Sequence, residues 1–140
     1  MRSPTVLCVD DAETILGFYE ELLGKYGYEV IAASNGDQAL ELFHLQAEAI
    51  DAVIVDYEMP GMNGLELAIL LKGHTPTLPI FMISGAGPEL DEMSPFIDAA
   101  IAKGVSIRDI MATLDVLIAK RTLQSHQDYL SRRGAMQNQA

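Results

Sequence analysis

Hydrophobic residues follow two alternating patterns along the chain. Short, nearly continuous apolar runs occur at Thr5–Val9, Tyr28–Ala33, Asp51–Asp56, Pro79–Ile83 and Ala99–Ala102. Runs of this length, rich in Val and Ile, read as strands buried on both faces of a parallel sheet. Between them the period lengthens to that of a helix. From Ala12 to Tyr26, apolar residues recur at Ile15, Phe18, Tyr19, Leu22 and Leu23, with an acidic opposite face and Gly24 and Gly27 at the end. Ser34 is suited to cap a helix reaching about Gln46, with Ala39, Leu40, Leu42 and Phe43 turned inward. A third helix from Gly64 buries Leu65, Leu67, Ala68, Ile69 and Leu71 before Gly73. Ser106 caps a final one, with Ile107, Ile110, Met111, Leu114, Leu117 and Ile118 on one face.

The fourth helical segment is expected to be short or irregular. Between Pro88 and Pro95 only Leu90 and Met93 are apolar, and Pro95 cannot continue a helix interior. Five strands alternating with helices imply an α/β fold with right-handed crossovers. A doubly wound parallel sheet of order 2-1-3-4-5, flavodoxin-like, fits this number and spacing. Residues 1–120 then form the domain. Beyond Ile118 the apolar period thins to Leu123, Tyr129 and Leu130, so residues 121–140 either extend the last helix or form a disordered tail, with a partner or dimer contact as a further reading.

Charge sharpens this division. Residues 1–119 hold 5 basic and 19 acidic side chains, a net of −14, whereas Lys120, Arg121, Arg132 and Arg133 against Asp128 give the tail +3. The overall −11 argues against nonspecific nucleic-acid binding, which needs Lys and Arg to neutralise phosphates. The tail is also far too short for a DNA-binding domain. No apolar run approaches the roughly 18 residues of a membrane span, and the start shows no cleavable signal pattern, so a cytoplasmic location is expected. The single cysteine, Cys8, reads as a small core residue and excludes a disulfide framework.

The chemistry gathers at the carboxyl ends of the strands. The first ends in Asp10-Asp11, the third in Asp56, the fourth in Ser84 and the fifth in Lys103. Each residue alone has a plain structural role, as helix cap, turn residue or solvated lysine. Together, at the edge where open α/β sheets place their ligands, they describe a site. Clustered carboxylates repel unless a cation sits among them, and an all-oxygen set favours Mg²⁺. A carboxylate beside that ion is a reasonable nucleophile towards phosphorus, and a hydroxyl and an ammonium suit a transferred phosphoryl group.

At this point the sequence resembles the receiver domain of two-component response regulators, over roughly residues 4–119. The matching motifs are Val9-Asp10-Asp11, Asp56 with Met59-Pro60-Gly61-Met62-Asn63-Gly64, Ile83-Ser84-Gly85-Ala86, and Lys103. The resemblance implies that Asp56 accepts a phosphoryl group from a phosphohistidine of a sensor histidine kinase or phosphotransfer protein, for relay to a downstream protein target. It implies Mg²⁺ bound by Asp11 and Asp56 with the backbone carbonyl of Glu58, Asp10 acting mainly through water. Ser84 and Lys103 would hold the phosphoryl oxygens. Such a chain catalyses its own phosphorylation and dephosphorylation without being a turnover enzyme. His44, His74 and His126 match nothing in this scheme.

Three features depart from the family pattern. Ala100 stands where an aromatic switch residue is usual. Gly104 replaces the proline that usually follows the lysine in a cis peptide; a cis bond without proline costs about 2.5–4 kcal/mol, so a trans bond is expected. The stretch from Ser84 to Lys103 is about three residues shorter than usual. All three bear on the output face, so the phosphorylation chemistry is expected without the usual Ser-to-aromatic coupling. Two alternatives remain open. An aspartate-nucleophile phosphatase would use Glu58, two residues after Asp56, as general acid, but no cap domain is evident. A pseudo-receiver would bind partners without phosphate.

Overall fold

The computed structural model describes residues 3–85 and 95–137, with no side-chain description for residues 136 and 137. Five parallel strands, β1 (Thr5–Val9), β2 (Glu29–Ala33), β3 (Ala52–Asp56), β4 (Ile80–Ser84) and β5 (Ala99–Ala102), form one sheet in the order β2-β1-β3-β4-β5. The helices are α1 (Glu13–Lys25), α2 (Gly36–Gln46), α3 (Gly64–His74) and a C-terminal helix (Ile107–Gln137). This is the expected doubly wound α/β sheet. The segment between Pro88 and Pro95 falls almost wholly outside the described residues.

Every residue of β1, β3 and β4 is buried, which explains why these strands read as unbroken apolar runs, while the edge strands β2 and β5 are half-covered. Alternation along each strand divides the core in two. Leu7, Val9, Val53, Val55, Ile80 and Met82 meet α2 and α3. On the opposite face Val6, Cys8, Ile54, Phe81 and Ile83 meet α1 and the C-terminal helix. Cys8 is wholly buried, and burial pushes its thiol well above the ordinary range, so it serves as core. No helix among the described residues is long and apolar enough to cross a membrane.

Several local expectations are corrected. Asn35, not Ser34, caps α2: its side chain accepts a hydrogen bond from the Gln38 amide at 2.8 Å. Ser34 instead donates its hydroxyl to Gln38 Oε1. In α1 the core face is Leu16, Tyr19 and Leu23, whereas Ile15 and Phe18 are exposed by 39% and 44%. In α3 Ile69 faces outward; six of the seven positions from Leu65 to Leu71 are apolar, so its face cannot be read from period alone. Ser106 caps the C-terminal helix as expected, accepting the Asp109 amide at 3.3 Å. No cis peptide occurs among the described residues; Lys103-Gly104 is trans and Gly104 takes φ +91°, a conformation proline cannot adopt. The helix itself runs unbroken from Ile107 to Gln137.

Candidate functional site

The chain reverses its winding between β1 and β3, which lie side by side, so their carboxyl ends border the crevice where such sheets bind ligands. β1 delivers Asp10 and β3 delivers Asp56 to this crevice, respectively 7% and 5% exposed, with Asp11 exposed at the rim. Carboxylate oxygens of all three lie within 4.8 Å of one another. Asp10 Oδ1 accepts the Ala12 amide at 2.9 Å, which orders the turn into α1. Asp56 Oδ1 accepts the Glu58 amide at 3.3 Å.

Glycines and a cap bring the next loop in close. Asn63 and Glu66 form a reciprocal capping box at the start of α3. A Cβ on Gly64 would stand 2.5 Å from the Asp56 carbonyl oxygen and 2.8 Å from Tyr57 Cα, so only glycine lets α3 begin against the end of β3. Gly61 turns the loop at φ +76°.

The cationic side arrives from β5. Ser84, 2% exposed, is the last residue of β4; its carbonyl accepts the Lys103 amide at 3.0 Å, tying the two strand ends together. Lys103 Nζ then sits 3.4 Å from Asp56 Oδ1 and 3.7 Å from Glu58 Oε2. Asp10, Asp11, Asp56, Ser84, Lys103 and Glu58 are thus gathered at one edge. His44 and His74 lie elsewhere, their rings 4.8 Å apart near the ends of α2 and α3.

Electrostatics follow from this crowding. Burial, and then the charges of Asp56 and Asp11, holds the Asp10 carboxyl above the ordinary carboxylate range, although the Ala12 amide and Lys103 pull the other way. For Lys103, partial burial works against the ammonium, but Asp56, Glu58 and Asp10 outweigh it and raise its pKa. Among the described residues, Asp10, Asp11 and Asp56 are the one group of three or more carboxylate, His or Cys donors spaced to hold a metal. Oxygen donors that repel one another, two of them buried and one at the rim, are the chemistry of a hard divalent cation site.

One feature was not foreseen from the sequence. Ile15 and Phe18 of α1 face Ile101, Val105, Ile107 and Ile110 across an open groove of about 600 Å³ that ends at the acid cluster. The signal was present as two large apolar residues on the outer side of α1. Their partners are some 80 or more residues away, so only the fold reveals them.

Comparison with known proteins agrees with this geometry. Residues 6–115 match the response regulator receiver domain family. The chain is 32% identical over 126 residues to the autoinducer 1 sensor kinase/phosphatase LuxN of Vibrio harveyi, covering 89% of this chain and 15% of that one. It is 30% identical over 118 residues to the transcriptional regulatory protein CpxR of Escherichia coli, covering 82% of this chain and 49% of CpxR. The chain therefore spans at most about half of these relatives. A response regulator receiver domain protein from Clostridium thermocellum superposes with TM-score 0.81 at 29% identity, covering 86% of this chain and 98% of that one. TrrA from Thermotoga maritima, whose structure is a complex with Mg²⁺-BeF, gives 0.75 at 30% identity, covering 81% and 98%. With the sheet order, the acidic crevice and these matches in agreement, the chain belongs to the response regulator receiver domain family of two-component systems.

Proposed function

We propose that this receiver accepts a phosphoryl group on Asp56 from a phosphohistidine of a sensor histidine kinase or phosphotransfer protein and passes the signal to a downstream protein in the cytoplasm. The observation that carries this reading is the juxtaposition of the buried Asp56 carboxylate with Asp10, Asp11 and Lys103 in one crevice. Mg²⁺ fits the donor set: Asp11 and Asp56 would ligate it with the Glu58 backbone carbonyl, and Asp10 through water. When bound, the ion neutralises the carboxylates and offsets charge on the phosphoryl oxygens.

The protein's own groups do the rest. An Asp56 oxygen attacks phosphorus as the P–N bond to the donor imidazole breaks, and the electron pair stays on the imidazole nitrogen. Lys103, now shared between Asp56 and Glu58, shifts its ammonium onto the transferred oxygens, and the Ser84 hydroxyl donates to another. Hydrolysis returns Asp56 when water attacks the same phosphorus. The groove lined by Ile15, Phe18, Ile107 and Ile110 offers the donor protein an apolar seat beside the acid cluster.

Intact-mass measurement after incubation with acetyl phosphate and Mg²⁺ tests the proposal. Wild type gains one phosphoryl group, and Asp56→Asn gains none. Absence of any gain in wild type, with Mg²⁺ still bound, would overturn it in favour of partner binding without phosphate.

A further inference from the structure

The C-terminal helix extends beyond the core it packs on. Its inward face, Ile110, Met111, Leu114 and Leu117, is buried against the sheet. Arg121 then reaches back, its guanidinium donating to the carbonyls of Ile50 at 3.0 Å and Asp51 at 3.4 Å. From Thr122 to Arg133 every residue is exposed, about 18 Å of helix at 1.5 Å per residue. The extension propagates from a helix already held on the core, but Thr122, Ser125, His126, Asp128, Tyr129 and Ser131 are not strong helix formers, so its own propensity holds it only weakly.

The covering surface is legible on the helix. Val116, Leu123 and Leu130 recur every seven residues and are 55%, 58% and 51% exposed. At about 100° per residue they drift only some 20° per step, so they form one seam, with Ala112 and Ala119 beside it. The seam lies on the side of the helix opposite Leu114 and Leu117. All three residues are more than half exposed, although Leu123 also borders hollows shared with Pro79 and Asp98 and with Pro4 and Asp51.

We infer that this seam binds a second copy of the chain, helix against helix, antiparallel. Charge selects both partner and direction. The body carries −14 and residues 120–140 carry +3, so the chain complements itself end to end. Antiparallel pairing about Leu123 lays each basic extension along the domain-borne half of the other helix, where the small Ala112 and Ala119 leave room for Leu130. It also sets Asp115 on the same flank and at the same level as Arg133 of the second copy, twice by symmetry. Parallel pairing would place Arg133 against Arg133 and the two acidic bodies side by side. None of this depends on whether Asp56 is phosphorylated.

Sedimentation equilibrium of the full chain over a concentration series decides the matter. The expected result is a species of twice the 15.2 kDa chain mass, shifted to the monomer by Leu123→Glu with Leu130→Glu. These residues are exposed and far from Asp56, so phosphorylation of the variant stays as in wild type, while the helix signal in circular dichroism falls as the uncovered extension frays. Asp115→Arg and Arg133→Asp each weaken association, about tenfold, and the double swap restores it. With the wild-type Cys8 buried, the pair Asp115→Cys and Arg133→Cys forms an intermolecular disulfide, whereas Arg133→Cys alone does not. A wild-type chain that stays monomeric, a dimer indifferent to both glutamates, or ready crosslinking of Arg133→Cys to itself would each overturn the inference.

Discussion

Asp10 illustrates how a single buried side chain links stability to pH. Its carboxyl is held above the ordinary range by burial and by Asp56 and Asp11. A group whose pKa is higher folded than unfolded contributes stability that is fully present below the unfolded value and lost as pH rises through the folded value. Metal-free protein is therefore expected to lose stability through and just above the carboxylate range on account of Asp10. Carboxylates within 4.8 Å of one another repel by roughly 3 kcal/mol or more at an effective dielectric of 20, and the exposure of Asp11 reduces that. Asp10→Asn keeps an oxygen for the Ala12 amide and removes the charge. In EDTA at neutral pH it should raise Tm by a few degrees, on the order of 1 kcal/mol, and the gain should vanish below the carboxylate range. Saturating Mg²⁺ should reverse the ranking, because only wild type keeps the full donor set. Thermal unfolding followed by circular dichroism reads all three; a variant less stable than wild type in EDTA at neutral pH would refute the account.

Among the elements, α3 is the one whose placement most directly shapes the site, and Gly64 is where it does so. Gly64→Ala forces a Cβ to 2.5 Å from the Asp56 carbonyl, a contact that only backbone movement relieves. A loss of about 2–3 kcal/mol in urea denaturation is expected, with slower phosphorylation because Asp56 moves too. Gly17→Ala, in the middle of α1 with nothing within 4 Å of the added carbon, should instead stabilise by about 0.5–1 kcal/mol. Equal effects from the two substitutions would mean that close approach is not why Gly64 is needed. The same elements show what a sequence reveals. Buried parallel strands are continuous apolar runs, so all five strands and the residues at their carboxyl ends were readable to within a residue or so. Asn63-Gly64 was readable as a break in the chain, but not as a cap joined to a close approach. Ser34 and Asn35 are both good caps, and only geometry chose between them. Ile15 and Phe18 share the helical period of the core residues yet face the groove, since period fixes spacing and not which arc meets the sheet. Arg121 bonds to backbone carbonyls, a contact that leaves no pattern in the sequence.

At the scale of the whole molecule, chemistry and assembly occupy opposite edges of the sheet. Asp10, Asp56 and Lys103 stand at the carboxyl ends of the strands. Arg121 anchors the C-terminal helix to Ile50 and Asp51, which precede the amino end of β3. The five residues of β3 separate the two by about 16 Å at the usual rise per residue. The C-terminal helix begins beside the crevice, where Ile107 and Ile110 line the groove, so a change at Asp56 reaches the seam at Val116, Leu123 and Leu130 only if that helix or its contacts have two arrangements. The family's usual aromatic residue on the last strand is here Ala100, whose methyl group has no rotamers to switch. Lys103 is followed by Gly104 in a trans, positive-φ turn. Self-association is therefore expected to be constitutive: Mg²⁺ with beryllofluoride should change the dimer dissociation constant by less than about threefold, under 1 kcal/mol. Amide chemical shifts on the same samples should move most around Asp56 to Asn63 and at Ser84, and little along the outer face of the C-terminal helix. A dimer tightened more than tenfold by beryllofluoride, with large shifts at Val116 or Leu123, would show that the two edges communicate by a route other than Ala100.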